Sequence, residues 1–447
     1  MKKLLFVFVL SMFVSISCDD RFPFDPDHEG LNNKLVKKYP GDLAVEWMKL
    51  QMELSRTTPG FNGGLATRAF AYSGLSLYES IVEGMHGYNS VVSFMIGSKV
   101  QPHIKSKVIH FPASANAAMA LIIKKLIPSA SAEAVAKIDS LEAAFNWKFG
   151  NDASASMLEK SAEYGREIAS TIFEWSEADG FAEAIAKNSS YVIPEGEGLW
   201  KPTPPAFAAP VNVYVGDIRT FVPNSASITE PDPPIPYSEE VGSAFYNAVN
   251  EVYTISQSLT AEDSITAKTW GEFPANFVIQ ALRYQQIAIQ VVDDANLPLG
   301  IAALAFAKNG MALQEAIVSV FHAKYIHNVV RPITYIHEVL GHTEWSTINI
   351  TPPHPEYPSA HSTIGRASTT VLESIFGTEY SFTDRTHEDV YGSRSYESLE
   401  AASDDAARSR VLAGIHYEFS VVVGKKQGEE IGNLINELPF HHSFHPN

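Results

Sequence analysis

Apolar residues recur every three or four positions along most of the chain, the spacing that lays one face along an α-helix. The stretches 42–56, 64–84, 113–127, 132–147 and 153–178 all carry it. In the first, Leu43, Val45, Trp47, Met48, Leu50 and Leu54 make a broad apolar face. Ala113 to Ala120 is rich in alanine, which suits closely packed helices. The pattern then stops. Between Pro194 and Pro236 lie ten of the 26 prolines. A residue that fixes φ and lacks an N–H excludes a single helix there and predicts a crossing loop. Helical spacing resumes near 238 and continues through 259–272, 274–293, 298–308, 310–330 and 331–340. After a loop around 352–358 it returns over 360–376 and 395–437. No alternating run is long enough to propose a sheet. The pattern predicts an all-α protein of two packed helical bundles, over 39–190 and 241–447, joined by a proline-rich loop at 191–240. A single continuous helical unit is the alternative.

Composition narrows the picture. Hydrophobic content of 45% and charged content of 19% over 447 residues belong to a folded chain with a large core. A net charge of −18 argues against nucleic-acid binding through a general basic surface. Any anion site must therefore be built locally, against the field of the whole molecule. At the N-terminus, Lys2 and Lys3 precede the apolar run Leu4 to Val14 and then small residues, which reads as an export signal too short to span a bilayer. Cys18 is the only cysteine, so no intrachain disulfide is possible. Its place after Ser15-Ile16-Ser17 and before Asp19-Asp20 resembles the lipidation site of bacterial surface lipoproteins. That resemblance implies a lipoprotein signal at 1–18, a tether at 19–38, export to the periplasm or cell surface, and membrane contact only through a lipid on Cys18. A cleaved signal with a chance cysteine is the alternative.

Three short segments carry the chemistry. Lys324 and Arg331 lie seven apart, which on one helix returns both to nearly the same face about 10.5 Å apart. Their neighbours Tyr325, Ile326, Val329, Val330 and Ile333 are apolar, where an unpaired cation is costly unless it meets an anion. Pro332 is expected to end or bend that helix. Next, Pro358-Ser359-Ala360-His361 stands before the apolar run Ile364, Ala367, Val371, Leu372 and Ile375. This is a helix start, with free amides, a positive dipole end and the Ser359 hydroxyl. A cap does not need His361 in its first turn. Last, Arg410 and His416 are six apart, about 240° around a straight helix, so they share a site only across a wide pocket or a distortion, which Gly414 permits.

In this order, the three segments closely resemble the signature of vanadium-dependent haloperoxidases and of the acid and lipid phosphatases that share their site. The likeness extends to Trp200-Lys201-Pro202-Thr203-Pro204-Pro205, to Thr351-Pro352-Pro353-His354-Pro355-Glu356-Tyr357, and to Arg394-Ser395-Tyr396-Glu397-Ser398. It covers about 60 to 440 and is strongest from 321 to 420. It implies the helical-bundle fold of vanadium chloroperoxidase and acid phosphatase. It also implies that Lys324, Arg331, Ser359, the Ala360 amide and Arg410 hold vanadate oxygens, with phosphate as the competing anion. His416 would ligate vanadium through one ring nitrogen, and His361 would serve as acid and base on the apical oxygen and peroxide. Hydrogen peroxide and a halide are the implied substrates. His354 stands where brominating members often carry histidine, Phe321 where several carry tryptophan, and both, with Trp200, are assigned to the halide pocket. Ala360 replaces the usual glycine, and Ser420 stands where many relatives carry aspartate. A carboxylate orienting His361 is expected, with Glu272 as candidate.

His337-Glu338-x3-His342 is one residue too long for a zinc motif, placing the imidazoles about 140° apart. His441, His442 and His445 form an incidental cluster near the C-terminal end. The leading reading is a haloperoxidase oxidising iodide first and bromide second. The alternatives are a phosphomonoesterase with His416 as nucleophile and His361 as general acid, and a surface lipoprotein that binds oxyanions without turnover. Oligomeric state is left open by the sequence.

Overall fold

A computed structural model describes residues 36–61, 63–97, 109–271 and 280–441; Cys18, Glu272 and residues 442–447 lie outside them. The first seven helices are α1 (Asp42–Thr57), α2 (Gly63–Glu79), α3 (Val91–Ile96), α4 (Phe111–Leu126), α5 (Ala132–Phe149), α6 (Ala155–Glu177) and α7 (Phe181–Lys187). The short α8 (Ser225–Ile228) lies in the crossing loop and is followed by α9 (Ala244–Ser256), α10 (Ala261–Thr269), α11 (Gln280–Asp294) and α12 (Leu299–His327). Then come α13 (Pro332–Glu338), α14 (Ala360–Phe376), α15 (Glu388–Tyr391), α16 (Leu399–Leu412) and α17 (Glu418–Asn436). Val36–Lys38, expected to end the tether, instead form a 3-10 turn with Val36 in the core.

The long α12 is the axis of the molecule. It is apolar nearly all round, the signature of a helix surrounded by protein rather than lying on a surface. The sequence pattern divided it between 308 and 310, but the helix runs through. A Cβ at Gly310 would come within 2.8 Å of the Phe70 carbonyl, so the glycine serves the close crossing with α2 rather than a break. α2 packs against α12 on one flank, and α14 and α17 pack on another. The two expected bundles thus share one hydrophobic core running from Val36 to Phe440.

Behind α14 the packing is closer still. Gly424, Gly428 and Gly432 lie one turn apart along α17, and added Cβ atoms would sit 2.7 Å from the Ser359 carbonyl, 2.3 Å from the Thr363 carbonyl and 2.5 Å from Thr370. The backbone of α17 therefore fixes where α14 begins.

Two other expectations are corrected. A small antiparallel hairpin is present, β1 (Phe382–Asp384) with β2 (Arg394–Tyr396), too short to show in the hydrophobic pattern. The proposed helix over 395–437 is β2, α16 and α17, with a turn at Gly414, where φ is +79°.

The crossing loop lies across the part of the fold that carries the three motifs. Leu199 bridges to Val329, the Val330 amide donates to the Gly198 carbonyl at 2.9 Å, and the Val211 amide donates to the Pro353 carbonyl at 3.1 Å. Its far end is held by Glu315 of α12, whose Oε1 accepts from the Val222 amide at 2.6 Å. Burial pushes the Glu315 carboxyl up to about 8, although the Val222 amide, the Ser225 hydroxyl and the Phe221 amide oppose the shift. Such an acid binds its proton more tightly folded than unfolded. Its contribution to stability is therefore whole below the ordinary carboxylate pKa and is lost as pH rises toward 8. Glu315→Gln keeps an acceptor for Val222 and removes the ionisation. The variant is expected to melt several degrees above wild type at pH 8, with the difference vanishing near pH 4.5. Thermal melts across that range check it, and a constant offset at all pH values would refute the assignment.

Candidate active site

Lys324 and Arg331 do not share a helix. α12 ends at His327, and Asn328 takes a left-handed conformation with φ +49°, a residue type that tolerates it. Pro332 opens the next helix instead of closing this one, with Arg331 as its N-cap. The turn brings both cations inward, where each is fully buried. Lys324 Nζ donates to the carbonyls of Pro355, Glu356 and Pro358 at 2.9, 2.8 and 2.6 Å. Burial, and then the Arg331 charge, hold its pKa well below that of an ordinary lysine, with Glu356 pulling the other way. Three carbonyls around one nitrogen are nonetheless satisfied only by the ammonium, which has three donors and no acceptor. Those donors are therefore spent on the 355–358 loop rather than left for an anion's oxygen, as had been expected.

Arg331 is spread across two loops. Nε donates to the His354 carbonyl at 3.0 Å and Nη1 to the Ile415 carbonyl at 2.9 Å. Nη2 lies 3.1 Å from His354 Nδ1, and Nη1 lies 3.3 Å from His416 Nε2. From the third motif, Arg410 donates to the Trp270 carbonyl at 3.0 Å. The distortion expected between Arg410 and His416 is the turn at Gly414, where a Cβ would also strike the Trp345 ring at 2.8 Å.

Ser359 caps α14 as the sequence predicts, but its side chain does not close on the helix. Its hydroxyl accepts from Ser362 at 3.0 Å, which leaves its own hydrogen and the first-turn amides, that of Ala360 among them, to bind an anion. The His361 ring is bonded to the Trp270 carbonyl. That carbonyl, not a carboxylate, is what orients it among the described residues. Burial first, then Arg410, holds His361 well below the ordinary histidine range, which favours the neutral ring.

His416 has the partner that sequence reasoning missed. Its Nδ1 lies 2.7 Å from Glu356 Oε1, which also accepts from the Tyr417 amide at 3.1 Å. Burial raises the Glu356 carboxyl to about 7, while Lys324, Arg331, the Tyr417 amide and the Ser420 hydroxyl draw it down. Burial, followed by Arg331, holds His416 well below its usual pKa, so the imidazole is neutral and turns Nε2 toward Arg331. Glu356 lay inside the Thr351–Tyr357 run, but nothing in that run pointed to residue 416.

Above these groups opens a cavity of about 190 Å³ lined by His354, His361, His416, Ala360, Phe321, Ile317 and Ile364. Gly63, Gly64, Val211, Asn212, Ala281, Pro352 and Pro353 complete the wall, so the crossing loop reaches the site as expected. Phe321 meets His354 edge-on with ring centroids 5.2 Å apart, and both line the cavity. Trp200 does not. It is fully buried, absent from the cavity wall, and bonded through its backbone amide to the Asn328 carbonyl. His337 is bonded to the Trp345 carbonyl and His342 stacks on Tyr253, so each is engaged apart from the other.

Three cations, a hydroxyl and a helix start beside the imidazoles make a poor seat for a bare metal cation. They suit a metal that brings its own oxygens. Fold and site thus define a helical-bundle protein whose cavity gathers groups that suit an oxyanion. The VCPO second helical-bundle domain model matches residues 340–442. A bacterial vanadium-dependent iodoperoxidase structure aligns with a TM-score of 0.78 and 28% identity, over 92% of this chain and 97% of that one. The fold is also that of a bacterial vanadium-dependent chloroperoxidase, with TM-score 0.64 and 16% identity over 93% and 98% of the two chains in the holo form. Its apo form gives 0.65 and 15% over 85% and 95%. No curated protein sequence matches. The chain is thus similar to vanadium haloperoxidases, in fold along nearly its whole length and through the domain model over residues 340–442.

Proposed function

We propose that the protein uses vanadate and hydrogen peroxide to oxidise iodide, and bromide after it, to hypohalous acid. The observation that carries this reading is the His416 ring, which lines the cavity with its Nδ1 taken by Glu356 and its Nε2 facing Arg331. Arg331, Arg410, the Ser359 hydroxyl and the Ala360 amide would hold the vanadate oxygens, and His416 would ligate through Nε2. Bound vanadate supplies a Lewis acid that polarises peroxide toward halide attack. In the net reaction the halide takes one peroxide oxygen, the O–O bond breaks, and one proton is consumed as hypohalous acid and water form. His361, neutral and on the cavity wall, takes the proton of incoming peroxide and returns it to the leaving oxygen. Lys324 adds its charge from behind the 355–358 loop.

A cavity of about 190 Å³ accommodates an inorganic anion, peroxide and a halide, so an organic acceptor meets the product outside. Chloride makes the greatest demand on the oxidant. The pairing of His354 with Arg331 and Phe321 supports a site tuned to the easier halides.

Purified protein loaded with orthovanadate is expected to oxidise iodide with peroxide, bromide more slowly and chloride not at all. Inorganic phosphate should compete with vanadate. Steady chloride oxidation would overturn the halide assignment. Hydrolysis of p-nitrophenyl phosphate without any halide oxidation would move the reading to a phosphomonoesterase using His416 as nucleophile.

A further inference from the structure

We propose that Glu356 is a positioning residue that fixes the tautomer of His416 and so decides which ring nitrogen offers its lone pair to the anion cavity. The proposal rests on the reading of His416 as the vanadium ligand. A neutral imidazole can ligate through one nitrogen only when the other carries the proton, and an unconstrained histidine divides its proton between the two. Here the choice is made. Glu356 Oε1 already receives the Tyr417 amide at 3.1 Å, a group that can only donate. The same oxygen is 2.7 Å from His416 Nδ1; as a carboxylate it has no proton to give, accepts there too and leaves the lone pair on Nε2. Both side chains are buried, at 0% and 2% exposure, so water does not compete for the contact.

Glu356 is itself held from several sides. Its amide donates to the Val329 carbonyl at 3.0 Å, its carbonyl accepts from Lys324 at 2.8 Å, and the Ser420 hydroxyl bears on its carboxyl. Lys324 also grips the carbonyls on either side of it, at Pro355 and Pro358. The ammonium therefore acts as the staple that places the carboxylate, which places the imidazole. Partners of this kind make a ligating histidine more basic, and their loss weakens metal affinity by about 10–100-fold.

The rival role for Glu356 is to neutralise Lys324 and Arg331, and the two roles differ in sign. Removing a negative charge beside an anion site strengthens binding of every anion, whereas removing a positioning group weakens only the anion that needs the nitrogen. In Glu356→Ala, orthovanadate affinity measured by calorimetry is expected to fall about 10–100-fold, with orthophosphate affinity unchanged or higher. Imidazole 15N shifts of histidine-labelled, vanadate-free protein are expected to show Nδ1–H alone at His416 in wild type and a mixture in the variant. Glu356→Gln, which keeps an acceptor oxygen for the case where alanine does not fold, should retain the Nδ1–H signature and bind vanadate less tightly than wild type. In Glu356→Ala with Ser420→Asp, a carboxylate supplied from the residue that now bears on Glu356 should restore both the tautomer and vanadate affinity. A wild-type mixture of tautomers, or vanadate affinity rising in step with phosphate affinity in either single variant, would overturn the proposal. The nitrogen readout needs neither halide nor peroxide, so it stands or falls apart from haloperoxidase activity.

Discussion

His416→Ala is expected to abolish vanadate binding while leaving a measurable affinity for phosphate. The other convergent groups, Arg331, Arg410, the Ser359 hydroxyl and the Ala360 amide, are hydrogen-bond donors, and donors hold the oxygens of either anion. His416 is the group proposed to ligate the metal, and the direction of its Nε2 is set by the 2.7 Å contact between Nδ1 and Glu356. Removing the ring therefore separates two anions of similar shape. Vanadate affinity should drop at least 100-fold, comparable to loss of a metal ligand, with phosphate affinity falling less than tenfold. Peroxide-dependent iodide oxidation should vanish with the vanadate. Titration calorimetry with both anions provides the measurement, and equal losses for the two would remove His416 from the ligand role. The variant should also melt lower, because Glu356 Oε1 keeps the Tyr417 amide but loses its imidazole partner in a site with no solvent.

His361→Ala should give the opposite division. The ring lines the cavity and is steered by the Trp270 carbonyl, which also receives Arg410. It is placed to pass a proton to and from a group bound in the cavity, and it is not the proposed ligand. Vanadate affinity is expected to change less than tenfold, while turnover falls about 10²–10⁴-fold, the usual worth of a placed acid–base group. Steady-state rates at saturating vanadate, with affinity measured separately, distinguish the two effects. Turnover within a few fold of wild type, or a loss of vanadate as deep as that of His416→Ala, would sink the assignment.

The residues that meet at the site were legible because their types are rare in apolar surroundings and their order along the chain is specific. Helix identity was legible for the same reason that α12 and α14 are buried: long apolar periods have few other folds open to them. What failed were inferences that assumed a straight helix. Asn328 and Pro332 are a left-handed stop and a helix start, and together they undo the seven-residue stripe from Lys324 to Arg331. Read together, those two residue types held the signal. Other parts carried no such mark. The role of Glu356 depends on the fold placing it beside His416, 60 positions away, and Trp270 contributes a carbonyl that every residue possesses. Trp200 misled because a tryptophan in a proline-rich loop fits a pocket wall and a buried anchor equally well.

The cations of the site are anchored on backbone carbonyls: Lys324 on Pro355, Glu356 and Pro358, Arg331 on His354 and Ile415, Arg410 on Trp270. A carboxylate partner would fix a cation by cancelling it. A carbonyl dipole fixes it and leaves its unit charge uncancelled. In a molecule of net charge −18, Lys324, Arg331 and Arg410 are set against the single buried carboxylate of Glu356 among the described residues of the site, a local surplus of positive charge that exists before any anion arrives. The cost of collecting like charges is then met by folding, and little reorganisation energy remains when an anion enters or when charge shifts within it.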